Sequence, residues 1–222
     1  PKNFYHSPMT KLVSLENTTN KGGGYCWDIS EFEKIQKVCI ENELGLHMDG
    51  ARIWNSIIAM NNDPKIYGNF FDTISVCLSK GLGCPIGSVL LGKGKVMEKA
   101  IRIRKILGGG MRQVGYLAAA GLYALQNNIN RLSDDHRRAK EIAKKFSSKD
   151  IVNKINSVET NIIIIELNKS VNKQKIINHF TNHNVIFDWY SMGVQKIRIV
   201  THLDYTEKDH KDLLEIVDKL YI

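Results

Sequence analysis

DTISVCLSKGLGCPIGSVLLG, residues 72–92, decides how the rest of the chain is read. Thr73, Ile74, Val76, Cys77 and Leu78 are apolar or β-branched, and a short run of that kind predicts a buried parallel strand. Lys80 then stands at the strand's carboxyl end. Gly81, Gly83, Gly87 and Pro85 follow, which stops any regular element and lets the backbone pass close to a bulky neighbour. Burying a lysine there costs free energy unless it has a partner. By itself Lys80 has two readings: a surface lysine at a strand exit, or a desolvated amine acting as a nucleophile.

A second stretch, LGLHMDGARIWN at residues 44–55, bears on that choice. Leu44, Leu46 and Met48 make another short buried strand, with Asp49 at its exit. A carboxylate in that place can hold a proton on a pyridine nitrogen and so make the ring an electron sink. Gly50 and Ala51 leave room for a flat ring against the backbone. Arg52 offers a planar fork suited to a substrate carboxylate. Taken alone, D-G-A-R equally describes a structural Asp–Arg ion pair.

A strand ending in Asp49, then a strand ending in Ser79-Lys80 before a glycine-rich turn, resembles the aspartate-aminotransferase-like (fold type I) pyridoxal enzymes. Within that group HMDGARIWN (47–55), CLSKGLGCPIGS (77–88) and RKILGGGMRQVGYLAAAGLYAL (104–125) resemble the low-specificity L-threonine aldolases, and the resemblance runs over residues 6–203. It implies an α/β fold: the C-terminal part of a fold type I large domain with a mostly parallel sheet, followed by a smaller α+β domain. It implies pyridoxal 5'-phosphate held by Lys80 through a Schiff base, with Asp49 and Ala51 at the ring. Arg52 and Arg198 would hold the substrate carboxylate, and His6 would lie near the substrate hydroxyl. Arg112 would reach the cofactor phosphate of a neighbouring subunit, so a homo-oligomer, dimer or tetramer, is implied. Lys105 matches a position near the active site. Thr19 departs from the family, which often has histidine there.

The composition is that of a globular chain. Its 222 residues suit one sizeable domain or two modest ones, and hydrophobic residues make up 43%. No apolar run approaches the length of a membrane span, and PKNFYHSPMT has no signal-peptide core, so a cytoplasmic protein is expected. The formal net charge of +8 is spread over every predicted helix and is not interleaved with aromatics, which argues against a nucleic-acid partner and for a small anionic one. Cys26, Cys39, Cys77 and Cys84 lack C-x-x-C spacing, so neither a disulfide framework nor a zinc site is indicated.

In chain order, a strand is expected at 11–16 and a helix at 30–42. Ser30 and Glu33 are spaced as a capping box for that helix, which should end near Gly45. Strand, helix, strand predicts a right-handed βαβ unit, with ligands beyond the carboxyl strand ends. Residues 87–92 read as a short strand, antiparallel by the resemblance, and 95–107 and 114–126 as helices. The glycines at 108–110 with Arg112 can form an anion-binding concavity or be only a turn. The pattern breaks at NNINR, residues 127–131. Beyond it, helix from a Ser133 cap to 147, strand 161–167, helix 172–182, strand 196–202 and helix 206–220 make a compact second unit. The division is therefore expected at 1–128 and 129–222. Arg198 lies in R-I-V-T-H, on the face opposite Ile197 and Ile199.

Family members carry an upstream glycine–threonine turn for the phosphate and a histidine stacked on the ring, with no counterpart in this sequence. The chain is thus expected to match the carboxyl-terminal two-thirds of such an enzyme and to expose unpaired sheet edges. The implied reaction is retro-aldol cleavage of L-threonine or L-allo-threonine to glycine and acetaldehyde. Two alternatives remain open at this point: another pyridoxal enzyme, a racemase or β-eliminating lyase, and a truncated non-catalytic remnant.

Overall fold

The computed structural model describes residues 5, 6 and 8–220. Its first sheet has the order β1 (Leu12–Glu16), β2 (Gly45–Gly50), β3 (Thr73–Cys77), β4 (Ser88–Gly92). β1, β2 and β3 are parallel and β4 is antiparallel, as the resemblance implies. Helix α1 (Ile29–Glu41) connects β1 to β2, and α2 (Ile53–Met60) and α3 (Pro64–Phe70) connect β2 to β3. Alternation in β2 and β3 buries Leu46, Met48, Ile74 and Val76 against Phe32 of α1, Ile53 and Ile57 of α2, and Tyr67 of α3. The site elements leave this sheet at one end, where β2 and β3 both finish.

After β4 come α4 (Lys95–Ile106), α5 (Gly115–Asn127) and α6 (Leu132–Ser147). The second sheet is antiparallel, in the order β5 (Val152–Ile155), β6 (Ile162–Leu167), β7 (Lys196–Val200), with α7 (Lys173–Asn182) and α8 (Glu207–Asp218). Central β6 is buried along almost its whole length. Its Ile163 and Ile165 pack with Ile142 and Phe146 of α6, Phe180 of α7 and Val217 of α8 into a core of their own.

Several local expectations are corrected. Helix α1 starts at Ile29 with Asp28 as N-cap and no side-chain cap bond, so Ser30 and Glu33 lie inside the helix and form no capping box. The chain leaves α1 through Glu43, which takes a φ of 54°, and Gly45 already belongs to β2. Helix α6 starts at Leu132, and Ser133 donates its hydroxyl to Asn130 O instead of capping the helix. Helices α2 and α3 and strand β5 were not anticipated. α3 is marked by Asp63-Pro64, where the Asp63 side chain accepts the Lys65 N–H and proline takes the first turn.

Strand β4 is exposed at every residue and α4 has no buried residue, in keeping with the open edges expected above. Among the described residues no helix is long and apolar enough to cross a membrane.

Candidate active site

Asp49 stands next to last in β2, beside the first strand: Asn17 N–H donates to Asp49 O at 2.9 Å, and Glu16 is its register partner. Its carboxylate Oδ1 accepts the Ala51 N–H at 3.1 Å. Gly50 permits the close approach of β3 here, since a Cβ would lie 2.6 Å from Ser75 O. The turn carries Arg52 to the start of α2.

Lys80 follows β3 at the same end of the sheet. The turn after it is closed by Gly83 N–H to Lys80 O at 2.8 Å and Cys84 N–H to Leu78 O at 3.1 Å. Gly83 has φ 76°, and a Cβ there would meet Leu203 Cδ2 at 2.6 Å. The positive φ favours glycine here, and the bare Cα leaves room for Leu203, after β7, to pack over this turn. The result is a cavity of about 280 Å³ lined by Arg52 and Lys80 from one side and by Asn161, Val200 and His202 from the other. A larger cavity, about 580 Å³, opens between β7, α8 and residues 183–188, and neither Lys80 nor Arg52 lines it.

Arg52 is half-buried, and among the described residues its side chain makes no hydrogen bond or ion pair. Burial lowers its pKa first and the Arg198 guanidinium beside it second, against the pull of Glu16, Cys77 and Asp49. Arg198, in β7, donates from Nη2 to Asn20 Oδ1 at 2.7 Å and lies 3.6 Å from the Asp188 carboxylate, while its Nε is buried without a partner. Asn20 is fixed in turn by its own N–H to Glu16 Oε2, 3.0 Å. Arg198 thus lies within electrostatic reach of Arg52 while lining the larger cavity rather than the one that holds Lys80.

The structure therefore brings Asp49, Ala51, Arg52, Lys80 and Arg198 to one region. His6 is exposed, its ring centroid 4.0 Å from that of Tyr5, and it does not line the cavity. Arg112 and Lys105 are likewise exposed, in the loop after α4 and in its last turn, away from that lining. Thr19 Oγ1 is buried without a partner. Asn20 and Asp188, which hold Arg198, and Glu16, which fixes Asn20, were not anticipated. For Glu16 the signal was the register, since the parallel pairing of β1 with β2 brings Glu16 beside Asp49.

Residues 1–170 match the family model described as Beta-eliminating lyase. The chain belongs to the beta-eliminating lyase family. Curated relatives include low-specificity L-threonine aldolase 1 of Arabidopsis thaliana, 37% identical over 94% of this chain and 59% of its own length. The low specificity L-threonine aldolase of Escherichia coli K12 is 37% identical over 91% of this chain and 58% of its own. The family member described here thus spans about three-fifths of the length of such relatives. Among solved structures, Leishmania major threonine aldolase superposes with a TM-score of 0.79 at 20% identity, covering 98% of this chain and 63% of that one. Histidinol-phosphate aminotransferase of Clostridium acetobutylicum gives 0.69 at 15%, covering 94% and 63%. The fold is that of the fold type I pyridoxal enzymes, with a mixed, mostly parallel sheet.

Family and fold imply pyridoxal phosphate, and the donor set fits its reactive half. An amine without a partner, a carboxylate with one oxygen uncommitted and an unpaired guanidinium converge at the carboxyl ends of adjacent parallel strands. No cradle for the phosphate is assembled around these residues by the described part of the chain.

Proposed function

We propose that this chain carries the lysine and aspartate of a pyridoxal 5'-phosphate site, and that the enzyme is a threonine aldolase, an aldehyde-lyase cleaving L-threonine or L-allo-threonine to glycine and acetaldehyde. The observation that carries the reading is the unpaired Arg52 guanidinium beside Arg198, opening on the cavity that also holds Lys80. Such a pair is built for a carboxylate. The names of the curated relatives favour the aldol substrate.

In this proposal Lys80 anchors the cofactor, Asp49 keeps its ring nitrogen protonated, and Ala51 offers a flat backbone surface to the ring. Bound pyridoxal phosphate supplies the electron sink for the cleaved bond. Arg52 and Arg198 fix the substrate carboxylate, which sets the orientation of the Cα–Cβ bond. His6, or a water it orients, takes the proton of the β-hydroxyl. Arg112 serves the phosphate of a neighbouring subunit, in a homodimer or homotetramer. The division of labour follows residues 1–128 as cofactor-binding part and 129–222 as the smaller part bringing Arg198. A cytoplasmic enzyme of threonine catabolism and glycine biosynthesis is the setting that fits.

The family description favours a second reading, β-elimination, and racemisation would use the same lysine, aspartate and arginines. One assay separates them: the chain supplied with pyridoxal phosphate and L-threonine or L-serine, followed for acetaldehyde, pyruvate and D-amino acid. Acetaldehyde with glycine supports the aldolase. Pyruvate or D-amino acid would replace it by the corresponding alternative, and bound cofactor with no product would make the chain a non-catalytic remnant.

A further inference from the structure

Arg198 is held by a loop, and the loop is held by a lysine outside the site. Asp188 and Arg198 pair as an isolated antiparallel bridge, with Asp188 N–H to Arg198 O at 3.3 Å and Arg198 N–H to Asp188 O at 3.1 Å. Residues 189–197 are thereby a closed excursion between them. Trp189 and Ile197 at its two ends are buried in the second core, whereas Tyr190 and Val194 between them are 70% and 82% exposed, so apolar burial contributes little to the middle of the excursion.

Lys173, the first residue of α7, fills the inside of that excursion. Its Nζ donates to Trp189 O, to Val194 O at 2.7 Å, to Lys196 O at 2.9 Å and to Gly193 O at 3.3 Å, and lies 5.3 Å from the Tyr190 ring centroid. An ammonium has three donors, so these acceptors saturate it. In return Gln195 Nε2 reaches from the loop to the turn before α7, donating to Asn168 O at 3.1 Å, Val171 O at 3.2 Å and Lys169 O at 3.3 Å. Each segment's side chain satisfies the other segment's carbonyls. Charge-assisted bonds of this kind are about twice as strong as neutral ones. Without the ammonium, four carbonyl dipoles would converge on one point and turn outward to water. The first group displaced would be Asp188, whose carboxylate faces Arg198 and also accepts the Ser191 N–H at 3.1 Å and the Ser191 hydroxyl.

We propose that Lys173 is a positioning residue of the site: with Gln195 it clasps residues 189–196 and so holds Arg198 where a substrate carboxylate meets it. The inference rests on the reading of Arg198 as a carboxylate-binding arm.

The test uses Lys173→Met in the full chain loaded with pyridoxal phosphate, with amide hydrogen exchange over residues 188–198 and the Kd for L-threonine by calorimetry. Exchange at 189–196 should quicken about tenfold and Kd should rise about tenfold, with the cofactor's absorbance unchanged. Arg198→Ala should raise Kd similarly, and the double variant should bind no more weakly than Arg198→Ala alone, because both act on one contact. Should Lys173→Met not fold, Gln195→Ala loosens the same clasp from the other side and is expected to move exchange and Kd in the same direction. Unchanged exchange alongside a normal Arg198→Ala response, or a double variant weaker by the product of the two single effects, would overturn the clasp alone. An Arg198→Ala variant that binds threonine normally would overturn the carboxylate reading and the role of Lys173 with it.

Discussion

Arg52 carries a desolvation cost that the nearby Glu16 and Asp49 offset only in part. A half-buried guanidinium beside a second guanidinium is unfavourable until an anion arrives, which turns the cost into affinity for one. Replacing Arg52 by lysine keeps the charge but loses the planar fork, and KM for threonine should rise about tenfold with kcat changed much less. Steady-state kinetics on acetaldehyde release would check this. Asp49→Asn should keep the cofactor bound yet lower kcat by about a hundredfold or more, because an amide cannot hold a proton on the ring nitrogen. Unchanged kcat would remove Asp49 from the chemistry. Both could be singled out in the sequence because the pattern is local: Asp49 stands at a strand exit, two small residues follow, and Arg52 comes next. Their supports could not: Asn20 and Asp188 meet Arg198 only through the tertiary fold, at separations no short motif records.

Between elements, the joint that matters is α2 against α6. His136 on α6 and Asn55 on α2 are both buried, and His136 Nε2 donates to Asn55 Oδ1 at 3.0 Å. Burial, helped by nearby Lys140, pushes the His136 pKa down from 6.5 to about 4. The folded state therefore disfavours the imidazolium. The unfolded chain binds the extra proton first, so this group's contribution is intact above pH 6.5 and is lost as pH falls toward 4. The loss amounts to at most about 3 kcal/mol. Urea unfolding at pH 7 and pH 4.5 should show it, and His136→Gln should shrink the pH dependence; an unchanged dependence would place the sensitivity elsewhere. Element type was largely legible from periodicity. α2 and α3 escaped because each is under three turns, too short for a helical period to repeat, α2 being mostly apolar and α3 carrying Gly68 and Asn69. β5 escaped because a bulge interrupts its pairing with β6 and its outer residues are polar.

The chain as one body has two tight cores and one bare side. Leu90 and Leu91 of β4, Ile101, Ile103 and Ile106 of α4, and Leu122 and Tyr123 of α5 are all exposed, more apolar surface than a monomer usually shows. The proposed oligomer would cover it. Analytical ultracentrifugation should therefore find species above the 25.2 kDa of one chain, and Ile103→Asp with Ile106→Asp should shift them toward that mass. A wild-type chain that stays monomeric at high concentration would contradict the oligomer. That bare side was foreseeable only as open sheet edges; which helices lie exposed depended on how α4 and α5 pack.

Everything above turns on Lys80 being the cofactor's anchor. Purified chain incubated with pyridoxal phosphate, reduced with borohydride and digested should yield the stable adduct on the peptide containing Lys80, and Lys80→Ala should abolish it together with the visible absorbance. An adduct confined to other lysines, or a band that survives Lys80→Ala, would contradict the assignment.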